Sequence, residues 1–287
     1  MSLGSRYIEN AFCVLFILFT LLFSPFGVAF ASPRKQPENP LEDKKILVLN
    51  AFEANIPAFE KTDHGLSVAL QSGGIAIANQ FYEHLDLRRN PGPEHHKLTL
   101  ELLRKRYGGK KIDLIITLYP ETLNFLLDEC ETIFPDVPVL ALYLPQGFTL
   151  PKTNRKIVQH VVIPDFKPTI TAALQLIPDL KRIDVVGGTY PVDKWLENVF
   201  RKESENWKHR LAFRYLSDLP LEEILSKAAH APSDSILFIT AFGRDINGKP
   251  HTAVEVSRIL APVSSVPIFG FLGTLLGNGI VGGSLLS

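Results

Sequence analysis

Short runs of Ile, Val and Leu alternate along this chain with longer stretches whose apolar residues recur at helical spacing. That alternation leaves few folds open. A strand buried on both faces reads as a continuous apolar run, because helices cover each side of a parallel sheet. The runs at 46–49, 112–118 and 137–143 have that form, and a further strand is expected over 75–82. Between them the pattern predicts helices at 63–71, 94–107 and 120–132. Gly73-Gly74 and Gly108-Gly109 stop the first two, and Pro120 opens the third. Strand–helix units in series imply an α/β fold built on a parallel sheet.

Residues 144–156 interrupt the series with Pro145, Gly147, Pro151 and Asn154. This stretch reads as a hinge crossover between two Rossmann-like lobes, the first over 45–143 and the second over 157–271. The second series predicts strands at 157–163, 182–186, 209–215, 235–240 and 266–271. Helices are expected at 167–176, 191–206, 221–229 and 252–260. Segment 272–287 is glycine-rich and apolar, and is expected to return as a hinge strand toward the first lobe. No closing helix follows it, so either the natural chain continues or this is a truncated product.

The amino-terminal residues speak to compartment. Arg6 precedes an apolar run at 11–23, Ser24-Pro25 break it, and Ala29-Phe30-Ala31 offers the small-x-small pattern of a cleavage site. Residues 1–31 thus read as a signal peptide cut after Ala31, with 32–44 as a polar linker. The alternative is an uncleaved signal that tethers the chain to the inner membrane, since 11–31 is just long enough to span a bilayer. Cleavage leaves Cys130 without an intramolecular partner, which fits an exported bacterial chain with a large core. Hydrophobic residues make up 46% of the chain, enough for such a core. Lys plus Arg and Asp plus Glu balance at 30 each, so no nucleic-acid partner is indicated.

In open α/β sheets, ligands sit beyond the carboxyl ends of the strands. The candidate residues are therefore Asn50 and Phe52 after the first strand, and Tyr119, Glu121 and Thr122 after the third. In the second lobe they are Thr189 and Tyr190, with Phe242, Arg244 and Asp245. Aromatic faces can stack on an apolar ligand body. Free helix N–H groups near Thr122 or Thr189 can hold a carboxylate. Arg244 can pair with an acid and Asp245 with an ammonium. Each has a plainer reading: the aromatics as packing between lobes, Arg244-Asp245 as a solvated turn, Gly187-Gly188 as a tight turn. No dinucleotide or P-loop spacing occurs, and no cofactor is expected. His95-His96 is the one adjacent histidine pair, and helical neighbours do not face one ion, so no metal is expected. No nucleophile or paired-carboxylate signature appears, which disfavours an enzyme.

Several stretches together carry a family resemblance: Lys45-Ile-Leu-Val-Leu-Asn50, Tyr107-Gly-Gly-Lys-Lys-Ile-Asp-Leu-Ile-Ile116 and Phe134-Pro-Asp-Val-Pro-Val139. Others are Ile177-Pro-Asp-Leu-Lys-Arg182, Arg244-Asp-Ile-Asn-Gly248, Ser265-Val-Pro-Ile268 and Leu276-Gly-Asn-Gly-Ile-Val-Gly-Gly283. Their order resembles the extracytoplasmic solute-binding proteins of ABC transporters with the type I periplasmic fold. It is similar above all to the branch that also supplies sensor domains of bacterial histidine kinases. The resemblance implies two lobes joined by a three-stranded hinge, a small-molecule solute between them, and a further helix after the glycine-rich segment. It also implies a periplasmic monomer that works with a membrane permease, or alternatively with a kinase module. The loop Asn50-Ala51-Phe52 departs from the family's usual Ser or Thr beside an aromatic.

Overall fold

The computed structural model describes residues 41–285. The expected signal, its Ala31 cleavage point and most of the linker lie outside the described residues. The described chain begins with β1 (Ile46–Asn50), α1 (Pro57–Ser72), β2 (Gln80–His84) and α2 (Pro93–Tyr107). It continues through β3 (Leu114–Leu118), α3 (Tyr119–Glu129), β4 (Val139–Pro145) and β5 (Ile157–Val162). Then follow α4 (Lys167–Leu176), β6 (Arg182–Val186), α5 (Pro191–Ser204) and β7 (Ala212–Tyr215). The last elements are α6 (Leu221–Ala229), β8 (Ser235–Ile239), α7 (Ala253–Leu260) and β9 (Ile268–Gly270).

Two parallel sheets result, ordered β2-β1-β3-β4-β5 and β7-β6-β8-β9. β1 is buried throughout because alternate side chains feed two cores. Leu47 and Leu49 join one cluster, and Ile46 and Val48 join the cluster on the opposite face. The second sheet is covered likewise, by clusters around Phe200 and Phe238 on one face and Leu237 and Ile239 on the other. Helices begin where the sequence supplies a start. Pro occupies the first turn of α1, α2 and α3, and Thr252 and Glu255 form a capping box at α7.

The architecture agrees with the expected α/β class, and several boundaries change. The strand expected over 75–82 is a short 3-10 turn at Ile77–Asn79 followed by β2. The strand expected to open the second lobe, β5, instead pairs with β4 as the edge of the first sheet. The chain therefore leaves the first sheet after Val162, later than the turn formers at 144–156 suggested. The return segment does not cross to the first sheet within the described residues. Gly282 bridges Phe269 in parallel, and the Val281 N–H donates to the Ile268 carbonyl at 2.7 Å, so this stretch runs beside β9. Among the described residues, no helix is long and apolar enough to cross a membrane.

Candidate functional site

The carboxyl ends of both sheets contribute to one cavity of about 160 Å³. From the first sheet come Phe52 after β1, Phe59 on α1, Arg88 after β2 and Tyr119 at the start of α3. From the second come Tyr190 at the cap of α5, Asp193, Phe242 after β8 and His251 before α7. The wall is mostly aromatic. The Phe52 ring lies 4.8 Å from Phe59, 5.1 Å from Tyr119 and 5.7 Å from Tyr190. The Phe52–Tyr190 contact joins the two sheets, and the Tyr190 ring packs with the core of the first.

Tyr119 has a φ of 70° and Tyr143 one of 58°, both in the left-handed region that bulky residues avoid. Tyr143 sits where the β4–β5 register shifts, so a bulge in β4 turns its ring out of the sheet. The two rings stack at 5.3 Å with 20° between their planes. Strain at two neighbouring tyrosines persists because ring packing over-determines both. Tyr119 also forms part of a second cavity of about 360 Å³ with Lys61, Thr62 and Tyr143, and so stands between the two spaces.

Four of the residues singled out from sequence line the aromatic cavity: Phe52, Tyr119, Tyr190 and Phe242. Arg244 stands beside them, its guanidinium 5.6 Å from the Tyr190 ring, with no hydrogen bond or ion pair among the described residues. Glu121 is near enough to raise the hydroxyl pKa of Tyr119 and Tyr190, which burial already pushes above its ordinary value. Burial also raises the Glu121 carboxyl, and its Oε2 has no hydrogen-bond partner. The Nδ2 of Asn50 is likewise buried without one, while its Oδ1 accepts from the Phe52 N–H at 3.1 Å.

The other three serve the loops. The Thr122 hydroxyl accepts from the Ala51 N–H at 2.8 Å and donates to the Leu118 carbonyl, which uses its one donor. The Thr189 hydroxyl donates to the Asp245 carbonyl at 2.8 Å. Asp245 accepts from the Lys249 N–H at 2.9 Å and closes a tight turn, which Gly248 completes at a φ of +84°. His95 and His96 diverge, one toward the Leu85 carbonyl and the other toward Glu129.

Sequence reasoning missed Arg88, Glu53, Asp193 and His251. Asp193 is 1% exposed, and its carboxylate accepts from the Gly243 N–H at 2.7 Å and the Tyr190 N–H at 3.1 Å. Burial pushes its pKa up to about 6, while those two donors and Arg88 pull the other way. Gly188 is required beside it, since a Cβ there would collide with the Asp193 carboxylate. The position was legible as the third residue of a helix opening with Pro191. Arg88 bonds Glu53 through Nε and Nη2, and its Nη1 donates to the carbonyls of Gly243 and His251 in the second sheet's loops.

No protein-family model matches the sequence, and no curated protein does. Solved structures do. A conserved domain protein from Vibrio cholerae O1 biovar eltor superposes with a TM-score of 0.58 at 16% identity, over 83% of this chain and 78% of its own. An ABC domain in complex with L-Trp from Streptococcus pneumoniae gives 0.55 at 13% identity, over 83% and 77%. A ligand-free, open substrate-binding protein with adhesive properties from Clostridium difficile gives 0.52 at 16% identity, over 82% of both chains. Likeness at such identities establishes the fold alone: two parallel α/β sheets arranged as in these proteins.

Proposed function

We propose that this chain is an extracytoplasmic solute-binding protein that captures a small molecule between its two sheets. The observation that carries the reading is the aromatic cavity to which the strand ends of both sheets contribute. A site built from two bodies gains contacts on both sides only when they close on a ligand, which is how hinged binders work. The cavity volume of about 160 Å³ is on the scale of the roughly 150 Å³ cavity that holds a benzene ring. Phe52, Tyr119, Tyr190 and Phe242 would sandwich an apolar or aromatic body. Arg244, Glu121 and the free Nδ2 of Asn50 would meet its polar groups. Thr122, Thr189 and Asp245 would hold the loops in register. The neighbours point the same way: the Streptococcus pneumoniae protein carries L-Trp, and the Clostridium difficile protein is a substrate-binding protein.

In this reading a signal cut after Ala31 exports the chain to the periplasm, where it acts as a monomer and delivers solute to the permease of an ABC transporter. The site performs binding and no catalysis. A thermal-shift screen of the exported product against amino acids, short peptides, purines and sugars tests the reading. A solute at a hundred times its Kd adds about 2.7 kcal/mol, which raises the melting temperature measurably. The Phe52→Ala variant should lose most of that shift. If no compound from a broad library moves the melting temperature, the capture reading fails. Mass spectrometry of the product reports the leader separately, with a mass starting at Ser32 expected.

A further inference from the structure

Helix α2 carries a side that the core does not use. Thr99, Leu103 and Tyr107 are its buried residues, which settles how the helix lies on the first sheet. Leu98 and Leu102 then fall on the outer side, one turn apart, and are 61% and 44% exposed. Lys105 and Arg106 continue the same rows, and both are exposed. Two leucines in register on an open helix side, rimmed by charge, have the form of a contact surface.

Charge gathers at the same place. Residues 97–111 hold six Lys or Arg and one acid, Glu101, in a chain whose charges balance at 30 each. All six cations are exposed. Arg106 pairs with Glu83 at 2.6 Å and Lys111 approaches Asp113 at 3.8 Å, while Lys97, Arg104 and Lys105 have no ion pair among the described residues. Gly109, at a φ of +85°, turns the chain so that Lys110 and Lys111 follow the helix end closely. Asp113 also accepts from the Lys44 ammonium at 3.1 Å and the Lys45 N–H at 3.0 Å, which adds the residues before β1 to the cluster. The cluster thus sits at the amino ends of β1 and β3, whereas the aromatic cavity lies at the carboxyl ends.

The mixture of side chains selects the occupant. A polyphosphate such as RNA would engage the cations and leave both leucines in water. Protein interfaces are depleted of Lys. The boundary between lipid headgroups and acyl chains accepts both kinds, because leucine enters the acyl edge while Lys and Arg keep their heads among the phosphates. We propose that the outer side of α2, with the Lys110-Lys111 turn, is a docking surface for an anionic lipid bilayer. It sets the amino ends of the first sheet against the membrane and leaves the cavity at the opposite end. The surface uses no residue of the cavity, so it stands or falls apart from the capture reading.

The test is co-sedimentation of the exported product with vesicles of phosphatidylcholine alone or with a third of phosphatidylglycerol. Binding is expected to the anionic vesicles, and added salt should weaken it. Arg104→Gln with Lys105→Gln should weaken it roughly thirtyfold, at about 1 kcal/mol for each cation near the surface. Leu98→Gln with Leu102→Gln should weaken it roughly tenfold or more through lost apolar burial, with the salt dependence unchanged. Leu98→Ala with Leu102→Ala, which favours the helix, decides the matter if the glutamine pair has lost its circular-dichroism signature. Glu101→Gln should tighten binding roughly fivefold. Lys202→Gln with Lys208→Gln, exposed cations on α5 and just after it, lowers the net charge equally and should change nothing. No binding to the anionic vesicles overturns the proposal, as does an equal loss in the Lys202 and Lys208 variant. Polyuridine bound as tightly as the vesicles, with no response to the leucine changes, would make this a polyanion surface and overturn it as well.

Discussion

On the first-sheet side of the cavity, Phe52, Phe59, Tyr119 and Tyr143 are held by ring contacts, and two of them by left-handed backbones. On the second-sheet side, the loops are held by hydrogen bonds: Asp193 to two N–H groups, Thr189 to two carbonyls, Asp245 to its own turn. One side is a shaped apolar surface whose rings pack without directional bonds, although the loop that carries Phe52 is pinned by Asn50 and Thr122. The other is a polar frame that fixes backbone positions to within hydrogen-bond tolerance. Tyr190 is the exception that joins them, since its backbone belongs to the polar frame and its ring to the aromatic surface. Such a division suits a closing site, because dispersion contacts tolerate small slides while a docking frame must not move.

The most damaging break should come on the aromatic side. Phe52→Ala removes a 4% exposed ring that touches three others. The expected loss is about 3–5 kcal/mol of unfolding free energy, the usual cost of truncating a buried Phe. Urea titration measures it. A loss near 1 kcal/mol would mean that the rings do not hold this side together.

The second break is by pH, on the polar side. Asp193 has its folded pKa raised from 3.8 to about 6. Between those values the native state binds a proton that the unfolded state does not. The contribution is therefore full below the unfolded pKa and is lost as pH rises through the folded one. By pH 7 the loss from this group is on the order of 3 kcal/mol. Urea midpoints should fall between pH 4 and 7, and Asp193→Asn should flatten that part of the slope. An unchanged slope in the variant would show that Asp193 is not the group responsible. His84 acts in the same direction, since the hydrogen bond it donates to Asp63 raises its pKa, so its contribution too is lost on moving to alkaline pH. A His84→Gln variant separates the two.

These two sides were unequally legible in the sequence. Strand ends pointed to Phe52, Tyr119, Tyr190 and Phe242, because central strands such as β1, β3 and β8 are continuous apolar runs whose ends are easy to place. Arg88 was lost through an edge strand. β2 reads Gln-Phe-Tyr-Glu-His and is largely half-buried, so the apolar signal fell on Ile75 and Ile77 before it. With the strand placed too early, its carboxyl end was sought in the wrong place. β5, also an edge, was visible as a strand, but nothing in its own residues states which sheet it joins. The bonding of the Thr122 hydroxyl was illegible for another reason. Whether a hydroxyl at a helix start is free for a ligand depends on a neighbour far along the chain, here the Ala51 N–H.

The finest discrimination is one hydroxyl deleted on each side. Thr189→Val on the polar frame removes a donor that serves the Asp245 carbonyl at 2.8 Å and lies 3.2 Å from that of Arg244. Each carbonyl keeps a backbone donor, the Thr189 N–H for Arg244 and the Gly248 N–H for Asp245, so the expected cost is that of one side-chain hydrogen bond, about 1 kcal/mol. Tyr143→Phe on the aromatic surface removes a hydroxyl whose contact is Thr62 at 3.5 Å, the outer limit of a hydrogen bond. The ring and its stacking on Tyr119 remain, so the change should stay within about 0.5 kcal/mol. Both variants preserve shape, which makes the difference a measure of bonding alone. Equal losses would erase the distinction between the two sides. A larger loss at Tyr143 would place a directional bond at the strained end of the stack, and the left-handed backbone there would then be held by Thr62 as well as by packing.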